Sequence, residues 1–178
     1  MDTMLAEALR LAGRGFWDEL GALLARRPDL ATLEDDDGRT LLMRCAGLGG
    51  SAMTLRKLVA LGADPNHRAK DNSTALAAAI TGDAPHGPAT LPELATLLDL
   101  GADPEAVADG GMPALHWAIA QHRPEHVELL LDYGARLDTL TSGSPPESAQ
   151  DIARRVQSAA SLQLLDEYRR RRATAGET

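Results

Sequence analysis

Cysteine is almost missing from this 178-residue chain, and Cys45 stands alone. No disulfide can close within it, which fits a reducing compartment, so a cytoplasmic protein is expected. Aromatics are scarce, with one Phe, two Trp and two Tyr, so any core must be built from Ala, Leu, Ile and Val. Small residues at that density point to helices packed closely together. Lysine occurs only twice against sixteen arginines, a hint of a GC-rich bacterial source. Long apolar runs are absent, and "MDTMLAEALRLAGRG" has no basic region followed by an apolar stretch. Neither a membrane span nor a signal peptide is expected. Positive charge is in deficit, with a formal net charge of −8. Such a chain repels nucleic acid and anionic membrane on average, so neither is expected as a partner.

Reaction chemistry is missing as well. "GLGGS" (47–51) lacks the Gly-Lys-Ser/Thr end and the preceding strand of a phosphate loop. No Cys-His-Asp or Ser-His-Asp set is recognisable, and Cys45 falls at a small-residue helix position that reads as buried and inert. His122 and His126 have the i, i+4 spacing of a zinc pair, but Pro124 lies between them with no third ligand near. The acids of "EDDDGR" (34–39) lack the alternating ligands and distal Glu of a calcium loop. No catalytic activity, cofactor or metal is therefore expected.

What the chain does contain is repetition. "LGADP" occurs at 61–65 and at 100–104, and "YGARL" follows at 133–137. Before each comes a Leu-rich run: "TLRKLVAL", "ELATLLDL" and "HVELLLDY". Apolar letters at three and four spacing mark one buried helix face. Gly62, Gly101 and Gly134 sit where a left-handed helix cap favours glycine, and Pro65 and Pro104 forbid continuation. A second signal precedes each run, "DDDGRTLLMRCA", "AKDNSTALAAAI" and "ADGGMPALHWAI". Thr40 and Thr74 are natural N-caps, and Pro113 suits a helix start because its missing amide would be unpaired there. Each unit therefore reads as turn, helix, short loop, helix, glycine cap.

These residues resemble the ankyrin repeat, whose hallmark is an Asp/Gly turn, Thr-Pro-Leu-His-x-Ala, and a Val/Leu-rich helix ending in Gly-Ala-Asp. The match is best over 108–140, with a period of ~33 residues and Leu115, His116 and Ala118 at family positions. Pro113 and Ala114 stand where Thr and Pro are usual. Segment 2–34 fits as a degenerate first unit, and 148–168 fits as a cap in which Asp151 replaces the motif histidine. The resemblance implies an all-α solenoid of about five helix-turn-helix units with projecting turns and a concave binding face. It occupies one domain, 1–170, with units near 2–34, 35–68, 69–107, 108–140 and 141–168, and leaves 171–178 as a tail. It further implies that His116 hydrogen-bonds the neighbouring turn.

The resemblance also implies a function: binding another protein, as a free monomer. Aligned turn tips and inner helix edges give the candidate contacts Asp36, Asp37, Arg39, Lys70, Asp71, Ser73, Asp109, Met112, Trp117 and Gln121, with Gly110, Leu48 and Thr81 beside them. Acidity suits an inhibitor or immunity protein that blocks a basic toxin or enzyme, and a regulatory adaptor is the broader version. Self-association is an alternative, as is nucleic-acid contact through "RRRR" (169–172), although no aromatics interleave with those arginines. Two departures from the repeat are further contact candidates: the Gly/Pro-rich "TGDAPHGPATLPE" (81–93) and "TLTSGSPPESAQ" (139–150). Trp17 and Phe16 are expected to pack the first helix pair.

Overall fold

The joints between units show how the chain builds its repeat. The computed structural model describes residues 3–82, 89–107 and 111–175. At each "LGADP"-type joint the glycine takes a positive φ, 99° at Gly62, 89° at Gly101 and 93° at Gly134. The amide of the next alanine then reaches back five residues: Ala63 to Leu58 O, Ala102 to Leu97 O and Ala135 to Leu130 O, at 2.9–3.1 Å. The glycine amide reaches back three residues in each case, which is the Schellman closure of a helix. All three alanines are buried, so the joint also contributes to the core.

Ten α-helices occur among the described residues, in five consecutive pairs. They are α1 (Thr3–Gly13) with α2 (Trp17–Arg26), α3 (Leu41–Gly47) with α4 (Ala52–Ala60), and α5 (Ala75–Thr81) with α6 (Leu91–Asp99). The last pairs are α7 (Ala114–Ala120) with α8 (Pro124–Asp132), and α9 (Ala149–Arg155) with α10 (Ala159–Ala175). No strand occurs among the described residues; the turns close through isolated bridges at Glu34–Thr40, Val107–Pro113 and Leu140–Ser148. The architecture is the expected all-α stack of about five units.

First helices pack on one another in the order α1, α3, α5, α7, α9, and the second helices α4, α6, α8 and α10 form a second layer. The core between them is Leu, Ile and Ala, for example Leu42, Leu58, Leu76, Ile80, Leu97, Leu115, Ile119 and Leu130, all 1% exposed or less. No unit could bury that face alone, and stacking the next copy covers it. N-caps act as the sequence suggests: Thr40 Oγ1 accepts from Met43 N and Thr74 Oγ1 from Ala77 N. Pro113 takes the N-cap position itself, one residue before α7. In the last unit Ser148 and Asp151 form a capping box, so the residue that replaces the motif histidine is used for helix initiation.

Three local features depart from expectation. A 3-10 turn at Pro28–Thr32 stands where the first unit has no Gly-Ala joint. Phe16 is 44% exposed, because it occupies the turn before α2 and its amide is bound to Leu11 O. The stretch 169–172 lies inside α10, which runs to Ala175, and does not follow a helix.

Gly111 makes the clearest glycine requirement among the turns. Its φ is 70°, its carbonyl accepts from Ser142 N at 3.1 Å, and an added Cβ would lie 2.5 Å from Ser142 Cβ. Gly111→Ala should cost about 2 kcal/mol through strain and displacement of that turn, read as a lower unfolding midpoint in urea.

Candidate binding surface

The run of four acids divides into different roles. Asp35 points inward, its side chain 6% exposed. One carboxylate oxygen accepts from the amides of Asp37 and Arg39, both at 2.9 Å. The other accepts from Arg44 Nη2 at 2.7 Å and Nε at 3.1 Å. Burial acts to raise the Asp35 pKa, but the Arg44 guanidinium and the two amides outweigh it and hold the carboxyl below its ordinary value. Asp36 and Asp37, by contrast, are exposed.

The neighbouring tip locks onto this one. Arg39 Nη2 donates to Asp71 Oδ2 at 2.8 Å, and Asp71 Oδ1 accepts from the Ser73 amide and hydroxyl. Those Ser73 bonds first, then Arg39, hold the Asp71 carboxyl far below its ordinary value. Lys70 Nζ donates to Asp36 O, the Lys70 amide donates to Asp37 O, and His67 Nε2 lies 2.9 Å from Gly38 O. Six of the sequence-derived candidates, Asp36, Asp37, Arg39, Lys70, Asp71 and Ser73, thus share one block. Within it Arg39, Asp71 and Ser73 are occupied by each other, while the carboxylates of Asp36 and Asp37 face solvent.

Asp109, Gly110, Met112, Trp117 and Gln121 belong to the next unit. Asp109 and Gly110 are outside the described residues. Met112 lines an open pocket of about 440 Å³ with Thr141, Gly143, Ser144, Pro145, Glu147 and Arg155. The Glu147–Arg155 pair, at 2.8 Å, borders it. The long 139–150 turn therefore builds a concavity against Met112, a consequence of stacking that no single stretch of letters announces. Trp117 is half-buried, with indole Nε1 enclosed and without a hydrogen-bond partner among the described residues. By alignment it occupies the α7 position held by Arg44 in α3 and Ala78 in α5. Gln121 is half-buried at the C-cap of α7.

His86 lies outside the described residues, and the other three histidines sit on or beside helices. His116 is fully buried, and neither ring nitrogen makes a hydrogen bond of normal geometry among the described residues. Burial lowers its pKa, against the backbone of Glu147 and Thr139 in the next turn, which favours the charged ring. The expected partner turn is thus the one it faces, but the bond itself is not closed. His122 takes φ 55° at the end of α7, while His126 is buried and its Nε2 lies 3.0 Å from Ala89 O. Among the described residues no group of three or more His, Cys, Asp or Glu side chains is placed to hold a metal ion. Of the 81–93 segment, residues 83–88 are outside the described residues. Ala89 is held by Ala79 O and His126, and Thr90 and Glu93 cap α6. Cys45 is buried, which pushes its thiol up to about 12, so it is protonated at neutral pH. No helix among the described residues is long and apolar enough to cross a membrane.

Comparison with known proteins gives one positive finding. A family model described as ankyrin repeats, in three copies, matches residues 42–141, more than half of the chain. No curated protein matches it.

Proposed function

The chain belongs to the ankyrin-repeat family and is a protein-protein interaction module, and from that premise we propose that it binds one protein partner through its turn tips and inner helix edges. What supports this most is the locked pair of tips at 34–40 and 67–73. Their internal bonds fix a block whose exposed carboxylates, Asp36 and Asp37 (the latter 3.9 Å from Arg44 Nη2), need little reordering on contact. Met112 and Trp117 would then supply the apolar part of the contact, and aromatic anchors carry a large share of interface energy.

A partner with a basic patch fits the exposed Asp36 and Asp37 and the net charge of −8. The narrower reading is an inhibitor or immunity protein for a basic toxin or enzyme, acting in the cytoplasm without catalysis of its own and as a monomer when free. A regulatory adaptor shares the same surface requirements.

The test is affinity capture from the native lysate with the wild-type chain, an Asp36→Lys/Asp37→Lys variant and a Met112→Glu variant, each checked for helicity. One protein retained by the wild type and reduced at least about tenfold by both variants is the expected result. A dominant partner held equally by all three would overturn this surface.

A further inference from the structure

The second-helix layer carries a feature that the tips do not. Along α8, Glu125, Glu128 and Asp132 follow at i, i+3 and i+7, so they stand on one stripe. All three are exposed. Neither α6 nor α8 contains a lysine or arginine. At the tips, Asp35 and Asp71 are answered by Arg44 and Arg39; among the described residues none of these three carboxylates has an ion pair or side-chain hydrogen bond. Arg171 of α10 shares a small neighbouring pocket with Glu128, but it pairs with Glu167. Like charges at i+3 and i+4 repel within a helix, so the row destabilises the free protein slightly.

The stripe borders an open groove of about 420 Å³ between α6 and α8. Its apolar lining is Leu91, Pro92, Ala95 and Leu129, and Leu91 is 37% exposed. An apolar trough with one uncompensated acidic wall has a definite complement. We propose that this groove docks a basic amphipathic helix of a partner protein. Its apolar stripe would lie on Leu91, Ala95 and Leu129, and its Lys or Arg row would face Glu125, Glu128 and Asp132. Helix in groove is a recurring recognition mode, and nine residues of α8 offer a wall of about 13 Å, between two and three turns. The site is on the opposite layer from the Met112 pocket and stands or falls separately from it.

The test uses the full chain and a stapled helical peptide of about 14 residues, with lysines at i, i+3 and i+7 and leucines on the adjoining stripe. A stapled scramble of the same composition is the control. Fluorescence anisotropy should show binding at least about tenfold tighter than the scramble at low salt, weakening as salt screens it. The Glu125→Lys/Glu128→Lys variant should lose about tenfold in affinity, and amide shifts on titration should cluster at 91–95 and 125–132. Glu128→Lys alone should raise the melting midpoint slightly, because it converts two repulsions into two attractions. Absence of binding, equal binding of the scramble, equal binding by the double variant, or shifts centred on 35–37 would each overturn the proposal. So would a lower midpoint for Glu128→Lys, which would make the row a structural one.

Discussion

Asp35→Ala is expected to lower stability by about 3 kcal/mol, whereas Asp36→Ala and Asp37→Ala should each stay within about 0.5 kcal/mol. The three residues are adjacent and chemically alike, so the contrast isolates geometry. Removing the Asp35 carboxylate strips acceptors from two turn amides and from the Arg44 guanidinium at once. A hydrogen bond to a charged group contributes about 1.5–3 kcal/mol, and the figure for Arg44 is discounted here because its side chain is 29% exposed. For a chain of this size the loss corresponds to a drop of about 6–12 °C in the melting midpoint. Thermal melts of the three variants at pH 7 would check it, and equal effects would sink the assignment of Asp35 as the anchor of the tip.

A second large effect is expected on acidification, in two separate limbs. The folded His116 ring holds its proton less tightly than it does in the unfolded chain, because burial disfavours the charge. Below the ordinary value of 6.5 the unfolded state therefore takes up more protons, and stability falls as the pH falls. The slope for one such group is at most about 1.4 kcal/mol per pH unit. Asp35 and Asp71 have depressed values in the fold, so their contribution is intact above the ordinary 3.8 and is lost only below it. His116→Leu should flatten the limb that begins near 6.5 and leave the limb below 3.8 in place. Denaturation midpoints at pH 7, 5 and 3 for the wild type and variant separate the two. An unchanged first limb in the variant would show that another group carries it.

The joints and caps were legible because each depends on a local requirement. Gly62, Gly101 and Gly134 need a positive φ, Thr40 and Thr74 cap a first turn, and Pro65 and Pro104 end a helix. The candidate contacts at the tips were legible only as positions. That Arg39 answers Asp71, or that Arg44 turns back to Asp35, follows from the stacking of one unit on the next and from which carboxylate the turn directs inward. No composition rule separates Asp35 from Asp36. The pocket at Met112 was half visible, since the long 139–150 turn stood out while its packing against a neighbouring unit did not. The groove between α6 and α8 had a signal of its own: acids at 125, 128 and 132 share helical spacing in a segment without Lys or Arg. The 3-10 turn at Pro28–Thr32 left no such trace, because it appears only where the glycine joint is missing.

Side-chain bonds fasten each of the middle units to the next. Gly82 closes α5, and Ala89, whose amide donates to Ala79 O, is bonded to His126 of the next unit. Asn66 reaches forward to Gly101 and Asp103, and Glu105 reaches to Arg136 and Thr139. The repeat pitch is therefore written into these joints. An insertion at a joint would shift the register of every unit that follows.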